Sequence, residues 1–152
     1  KPQDLKFIDG VKNTIKRAIK KGFYIVVVTN QGGISKGLFS EEQMIDFNNR
    51  LLESIRDYGG NIDSIYFCKH HPEALNFNDR SCSCRKPKPG LILQALKELP
   101  IDKEKSIMIG DKVSDVDAGI NAGIKALLFE GTNLEAFLAE ENIIWLYLLK
   151  HP

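Results

Sequence analysis

Cysteine is scarce in this chain. Three occur among 152 residues, at Cys68, Cys82 and Cys84, an odd number that excludes a fully paired disulfide framework. A charge excess is missing too: 21 Lys and Arg against 20 Asp and Glu leave a formal net charge of +1, which gives no electrostatic case for nucleic acid or a membrane surface. No apolar run approaches the ~20 residues of a membrane-crossing helix, no secretory signal pattern opens the chain, and no internal repeat or low-complexity linker marks a boundary. With 43% hydrophobic and 27% charged residues, the expectation is one domain over 1–152, cytoplasmic and monomeric, burying about two-thirds of its unfolded surface.

The few cysteines are placed for metal. Cys68-Lys69-His70 and Cys82-Ser83-Cys84 supply soft and borderline donors, and Arg85-Lys86-Pro87 follows at once. Cys82 and Cys84 lie in a polar stretch, whereas inert buried cysteines sit singly in apolar runs, and cysteines two apart rarely bridge each other. The reading is a closed tetrahedral Zn2+ site of three thiolates and one imidazole, structural because no position is left for water. His70 and His71 compete for the imidazole place. Such a loop is a rigid way to hold two cations, Arg85 and Lys86.

Helix and strand signals alternate along the chain. Val11, Ile15, Ala18 and Ile19 share a helical face that ends at Gly22, and 23–28 is a continuous apolar run, expected to be a parallel-sheet strand buried on both faces. Ser40, with Gln43 three residues on, predicts a second helix with a stripe of Phe47, Leu51 and Ile55. A strand over 62–67 delivers Cys68. Pro89-Gly90 opens a helix closed by Pro100, 105–109 is a strand ending in Gly110-Asp111, 113–122 a helix, 125–129 a strand, and a further helix starts near Asn133. Residues 143–149 are too uniformly apolar to assign. Repeated βα units predict an α/β fold, a doubly wound, Rossmann-like parallel sheet with its ligand site at the carboxyl ends of the strands.

Three strand ends carry chemistry. Thr29 offers a hydroxyl to an anionic oxygen, Lys86 a neutralising charge, and Asp111 a ligand for a hard cation such as Mg2+. Together they describe metal-assisted phosphoryl binding, where positioning and charge neutralisation carry most of the catalysis. Singly, each has a plainer account: Thr29 as a β-branched strand residue, Asp115 as a first-turn helix acid, Arg85 and Lys112 as solvated cations. Their arrival on successive strand ends carries the joint reading.

Val28-Thr29-Asn30-Gln31-Gly32-Gly33-Ile34 with Gly37, Cys68-Lys69-His70-His71-Pro72, the run 82–90, and Ile109-Gly110-Asp111-Lys112-Val113-Ser114-Asp115 together resemble the haloacid dehalogenase (HAD) superfamily. Within it they are most similar to the heptose 1,7-bisphosphate phosphatases, over about residues 7 to 131. The histidinol-phosphate phosphatases, the neighbouring alternative, share the metal loop with a shorter spacing. The resemblance implies a Mg2+-dependent phosphoric monoester hydrolase acting on a sugar bisphosphate, with the 7-phosphate removed. It implies that Thr29 binds the transferring phosphoryl group and Lys86 stabilises it. Asp111 would be the Mg2+ ligand with Asp115 in support, Asn30, Arg85 and Lys112 would contact substrate, and Cys68, His70, Cys82 and Cys84 would bind Zn2+.

One departure stands against these matches. The family's nucleophile and general acid are two aspartates in an Asp-x-Asp-Gly-Thr-like motif at the end of a first, central strand, and no such motif occurs in this sequence. Asp4 has no strand before it, and Asp9, at a helix start, has a capping explanation. The expectation is therefore a chain lacking that strand, with an exposed edge on 23–28 and no phosphoaspartyl chemistry of its own. The reading from another class is a noncatalytic, zinc-stabilised module that binds a phosphorylated ligand or partner through Arg85, Lys86 and Lys112.

Overall fold

In the computed structural model, residues 5–141 are described; Asp4 and the unassigned run 143–149 lie outside them. In chain order the elements are α1 (Val11–Lys20), β1 (Val26–Asn30), α2 (Glu41–Asp57), β2 (Ser64–Cys68), α3 (Gly90–Glu98), β3 (Ile107–Gly110), α4 (Val113–Ala122), β4 (Lys125–Leu128) and α5 (Leu134–Glu140). The alternation is the predicted α/β order. Two compact units result, one from Val27–Glu41 and Ile65–Phe129, the other from Lys1–Val26, Glu42–Ser64 and Glu130–Pro152.

The second unit is helical. Ala18 of α1, Met44 and Ile55 of α2, Leu138 of α5, and Ile62 just before β2 are buried; Met44 precedes the predicted stripe by one turn. Glu135 at the start of α5 accepts from Asn13 Nδ2 at 2.7 Å and pairs with Arg17, contacts that tie α5 to α1 and hold its carboxyl below the usual range, the Asn13 bond first. The capping account of Asp9 is corrected here. Gly10 is the N-cap of α1 without a side-chain cap, and Asp9 gives its carbonyl to Leu134 N at 2.8 Å.

The other unit carries the strands in two pairs. Asp63 N donates to Ile25 O at 2.8 Å and Gln31 N to Cys68 O at 2.7 Å, so β1 and β2 run in the same direction. The β3–β4 pair is parallel, in register from Ile107 opposite Lys125 to Gly110 opposite Leu128. Strand 23–28 differs from expectation: it starts at Val26, and none of the five residues of β1 is fully buried. The physical reason is pairing, because β1 has a strand on one side alone among the described residues. The strand predicted over 105–109 begins late because Lys103–Lys105 form a short turn in which Asp102 accepts from Glu104 N at 2.9 Å.

Small residues let α4 lie close on its sheet. Ile92, Ala118 and Ala122 form a buried cluster lined by Val28, Leu96, Met108 and Ile124. A Cβ on Gly119 would stand 2.8 Å from the Cβ atoms of Ala126 and Met108. Overpacking of that kind costs about 1–3 kcal/mol, so the helix that starts at the β3 strand end is fixed at a short distance from it.

Candidate functional site

The site is built outward from Lys86. Its ammonium donates to Val28 O of β1 at 2.7 Å and pairs with Asp115 Oδ1 of α4 at 2.6 Å. Both side chains are nearly buried, 9% and 7% exposed, a burial that charged groups tolerate when paired and hydrogen-bonded. The other oxygen, Asp115 Oδ2, accepts from Lys112 N at 3.1 Å. Asp115 is thus both the first-turn acid of α4 and the counter-ion of Lys86. Gly110 makes room for it, since a Cβ there would lie 2.2 Å from Asp115 Cβ. An ammonium has three donors, so one N–H of Lys86 is left for a ligand.

The backbone of Lys86 is held as firmly as its head. Asn30 Oδ1 accepts from Lys86 N at 3.0 Å, and Asn30 Nδ2 donates to Lys86 O at 3.2 Å. One residue on, Asn121 Nδ2 of α4 donates to Pro87 O at 3.0 Å, and the Lys86–Pro87 peptide is cis. Thr29 Oγ1 accepts from Gln31 Nε2 at 3.2 Å, which leaves the threonine hydrogen free to be donated elsewhere. Asp111 follows β3, is exposed, and its carboxylate has no protein partner among the described residues. Lys112 is also exposed. The structure joins Asn30, Lys86 and Asp115 in one network that Lys112 enters through its backbone N–H, sets Thr29 next in the chain to Val28, whose carbonyl takes the Lys86 ammonium, and leaves the Asp111 and Lys112 side chains exposed.

The metal loop leads directly into this network. Cys68 at the end of β2, His70, Cys82 and Cys84 have their ligand atoms within 4.8 Å of one another. Cys68 Sγ lies 3.5 Å from His70 Nδ1 and 3.6 Å from Cys82 Sγ, and Cys84 Sγ lies 3.3 Å from His70 Nδ1 and 2.6 Å from Cys68 Sγ. Tetrahedral zinc, with Zn–S about 2.3 Å and Zn–N about 2.0–2.1 Å, requires donor separations of about 3.5–3.8 Å, so the 3.5 and 3.6 Å pairs fit, the 3.3 Å pair is slightly short, and Cys68 and Cys84 are drawn much closer. Burial pushes the Cys68 thiol up, with the Cys84 contact adding to it, and burial likewise raises Cys84. Burial also acts on Cys82, but the Arg85 N–H at 3.3 Å and the neighbouring thiols outweigh it and lower this sulfur. Three crowded sulfurs ionise together when a cation shares them. The donor set fits Zn2+, and an ion shared by all four would need Cys68 and Cys84 to stand further apart than their 2.6 Å.

His70, not His71, belongs to the cluster. His71 Nδ1 accepts from Glu73 N at 3.1 Å and is outside the donor group. On the far side of His70, Nε2 faces Asp79 Oδ1 at 3.8 Å, the carboxylate neighbour a ligating histidine commonly has. Arg85 and Lys86 part ways: while Lys86 turns to β1, Arg85 Nη1 donates to His70 O at 3.2 Å. Lys88 Nζ closes the loop on Cys82 O at 2.5 Å.

Gln31, Lys88 and Asn121 carry contacts that the sequence reading did not single out. Gln31 had a readable signal, two positions from Thr29 where a strand returns to the same face. Asn121 had none, because a polar residue near a helix end reads as solvated.

Comparison with known proteins places this geometry. A HAD-hydrolase-like family profile matches residues 83–140. The D-glycero-beta-D-manno-heptose-1,7-bisphosphate 7-phosphatase of Photorhabdus laumondii is 44% identical over 146 residues, 93% of this chain and 78% of that protein. The protein of the same name from Haemophilus influenzae is 46% identical over 122 residues, covering 80% of this chain. The aligned part spans 66% of the Haemophilus relative's own length. Among solved structures, a D,D-heptose 1,7-bisphosphate phosphatase from B. bronchiseptica, complexed with magnesium and phosphate, superposes with a TM-score of 0.77 at 27% identity, covering 91% of this chain and 74% of that one. A crystal structure described as a HAD-like phosphatase from Mesorhizobium loti reaches a TM-score of 0.90 at 27% identity over 100% of this chain and 79% of its own. No helix among the described residues is long and apolar enough to cross a membrane. The chain belongs to the HAD-like hydrolases, in the family that these heptose-bisphosphate phosphatases form.

Proposed function

We propose that the protein is a cytoplasmic phosphatase that removes the 7-phosphate of D-glycero-D-manno-heptose 1,7-bisphosphate, with both units serving a single phosphatase domain. The observation that carries the reading is the buried Lys86 ammonium, held by Val28 O and Asp115 with one N–H to spare, next in the chain to the metal loop and beside Thr29. The names of the relatives support the substrate.

In this reading, Thr29 and Lys86 donate to the phosphoryl oxygens and so favour the charge that develops there. Asp111 holds Mg2+, which keeps several waters and neutralises the transferring group when bound. Asp115, with both oxygens engaged, supports the site by holding Lys86. Zn2+ on Cys68, His70, Cys82 and Cys84 fixes the loop. Arg85 has guanidinium N–H groups beyond the one on His70 O, enough for the second phosphate, while Asn30 and Lys112 border the same opening. The resemblance implies a nucleophilic aspartate for this step, and the motif that would carry it does not occur among these residues.

The test is phosphate release by the full-length enzyme with Mg2+. Heptose 1,7-bisphosphate should yield the 1-phosphate, and histidinol phosphate should be a poor substrate. Preference for histidinol phosphate would move the protein to the neighbouring branch. Phosphate binding without turnover of either would favour the noncatalytic module.

A further inference from the structure

We infer that Asn30 is a positioning residue: its amide grips the Lys86 backbone, and what it contributes to phosphoryl binding is exerted through the lysine ammonium. The inference rests on the phosphatase reading above and deepens it. Asn30 ends β1, at a strand end where a direct ligand contact is the ordinary expectation. Yet its Oδ1 takes the Lys86 N–H at 3.0 Å, and its Nδ2 gives to the Lys86 carbonyl at 3.2 Å. Both polar atoms of the amide are thereby engaged by one residue, much as one strand engages its neighbour in a ladder.

The same strand holds the other end of that lysine through Val28 O. A lysine side chain has a flexible four-carbon stem and costly rotamer freedom. Anchoring its backbone and its head on one strand removes most of that freedom before a ligand arrives. The spare N–H of the ammonium is then aimed in advance, which is the condition for electrostatic stabilisation.

A double-mutant cycle separates positioning from contact. Full-length protein in Mg2+ is titrated with inorganic phosphate as wild type, Asn30→Ala, Lys86→Met and the double variant, and hydrogen exchange is read at the Lys86 amide. Asn30→Ala should weaken phosphate about tenfold and Lys86→Met about a hundredfold, with the double variant within about twofold of Lys86→Met alone. Exchange at Lys86 should rise at least about tenfold in Asn30→Ala while the amides of β3 and β4 are unchanged. Should the alanine variant not fold, Asn30→Asp, which keeps the acceptor for the Lys86 N–H, gives the same cycle and should show intermediate exchange. Losses that multiply in the double variant, or an unchanged Lys86 amide, overturn the inference. Wild type without phosphate affinity in Mg2+ would instead overturn the phosphatase reading on which it rests, and the wild-type titration alone reveals that case.

Discussion

The metal loop and the strand ends both gather charged groups, but they draw on the chain differently. In the loop, donor atoms meet across separations of 16 positions or fewer. At the strand ends, Lys86 reaches 58 positions back to Val28, and Asn30 lies 56 positions from the residue it holds. A short loop loses little entropy on closing, so the metal loop would depend chiefly on the ion it is proposed to hold. The strand-end cluster depends on the fold, because β1, the loop and α4 must all be in place before Lys86 has partners. The two regions meet at the Cys84-Arg85-Lys86 step, and their different dependence can be tested there.

The largest effect is expected at the strand ends. Asp111→Asn removes a charge from the proposed hard-cation site, and a loss of several kcal/mol of charge stabilisation predicts a fall on the order of a thousandfold in kcat. Zinc content and the far-UV spectrum should not change, since Asp111 has no protein partner to lose among the described residues. Near-normal turnover at saturating Mg2+ would assign Asp111 another job.

Cys82→Ser probes the loop and should act in the reverse order. Stoichiometric zinc should disappear, and substrate binding should weaken by about ten- to a hundredfold as the backbone at Arg85 and Lys86 loosens. The melting of β3 and β4 should move much less, because the Ile92, Ala118 and Ala122 cluster that packs them contains no loop residue. Metal analysis of wild-type protein purified without chelator comes first: absence of zinc there removes the site altogether.

The same contrast explains what the sequence made legible. Cysteine and histidine announce metal by type, so the residues of the donor cluster could be named, and only His70 against His71 stayed open until His70 was found in the cluster and His71 on Glu73 N. The βα alternation follows from periodicity, and the element order agrees with it. For strand 23–28 the exposed edge agrees with the one-sided pairing of β1, while its start and its full burial do not, because an apolar run shows that a strand can be covered and its actual burial depends on which neighbours it has. Asn30 and Lys86 were both visible as polar residues in a motif. Their mutual bonds were not, since a hydrogen bond across 56 positions is a property of the fold and leaves no trace in spacing.

Arg85→Lys tests the junction itself. The substitution keeps the charge but loses the planar fork, and a lost charge-assisted contact is worth about 1.5–3 kcal/mol, roughly ten- to a hundredfold in kcat/KM. If the guanidinium serves the second phosphate, the loss appears with heptose 1,7-bisphosphate and is much smaller with p-nitrophenyl phosphate. Equal losses on both substrates would assign Arg85 to the loop, through His70 O at 3.2 Å.

The smallest effect belongs to Asn121, the second anchor on the Lys86 turn. Its Nδ2 donates to Pro87 O at 3.0 Å from an exposed position on α4, so water can take its place. A net hydrogen bond is worth about 0.5–1.5 kcal/mol, and Asn121→Ala should therefore cost no more than about tenfold in kcat/KM. Its loss should be smaller than that of Asn30→Ala, whose two bonds to Lys86 are partly buried. Both should lower turnover on bisphosphate and p-nitrophenyl phosphate alike, since each would act on the lysine proposed to meet the reacting group. If Asn121→Ala proves the costlier of the two, the Lys86 turn is held from α4 more than from β1, and the strand-end cluster takes its geometry from the helix rather than from the sheet.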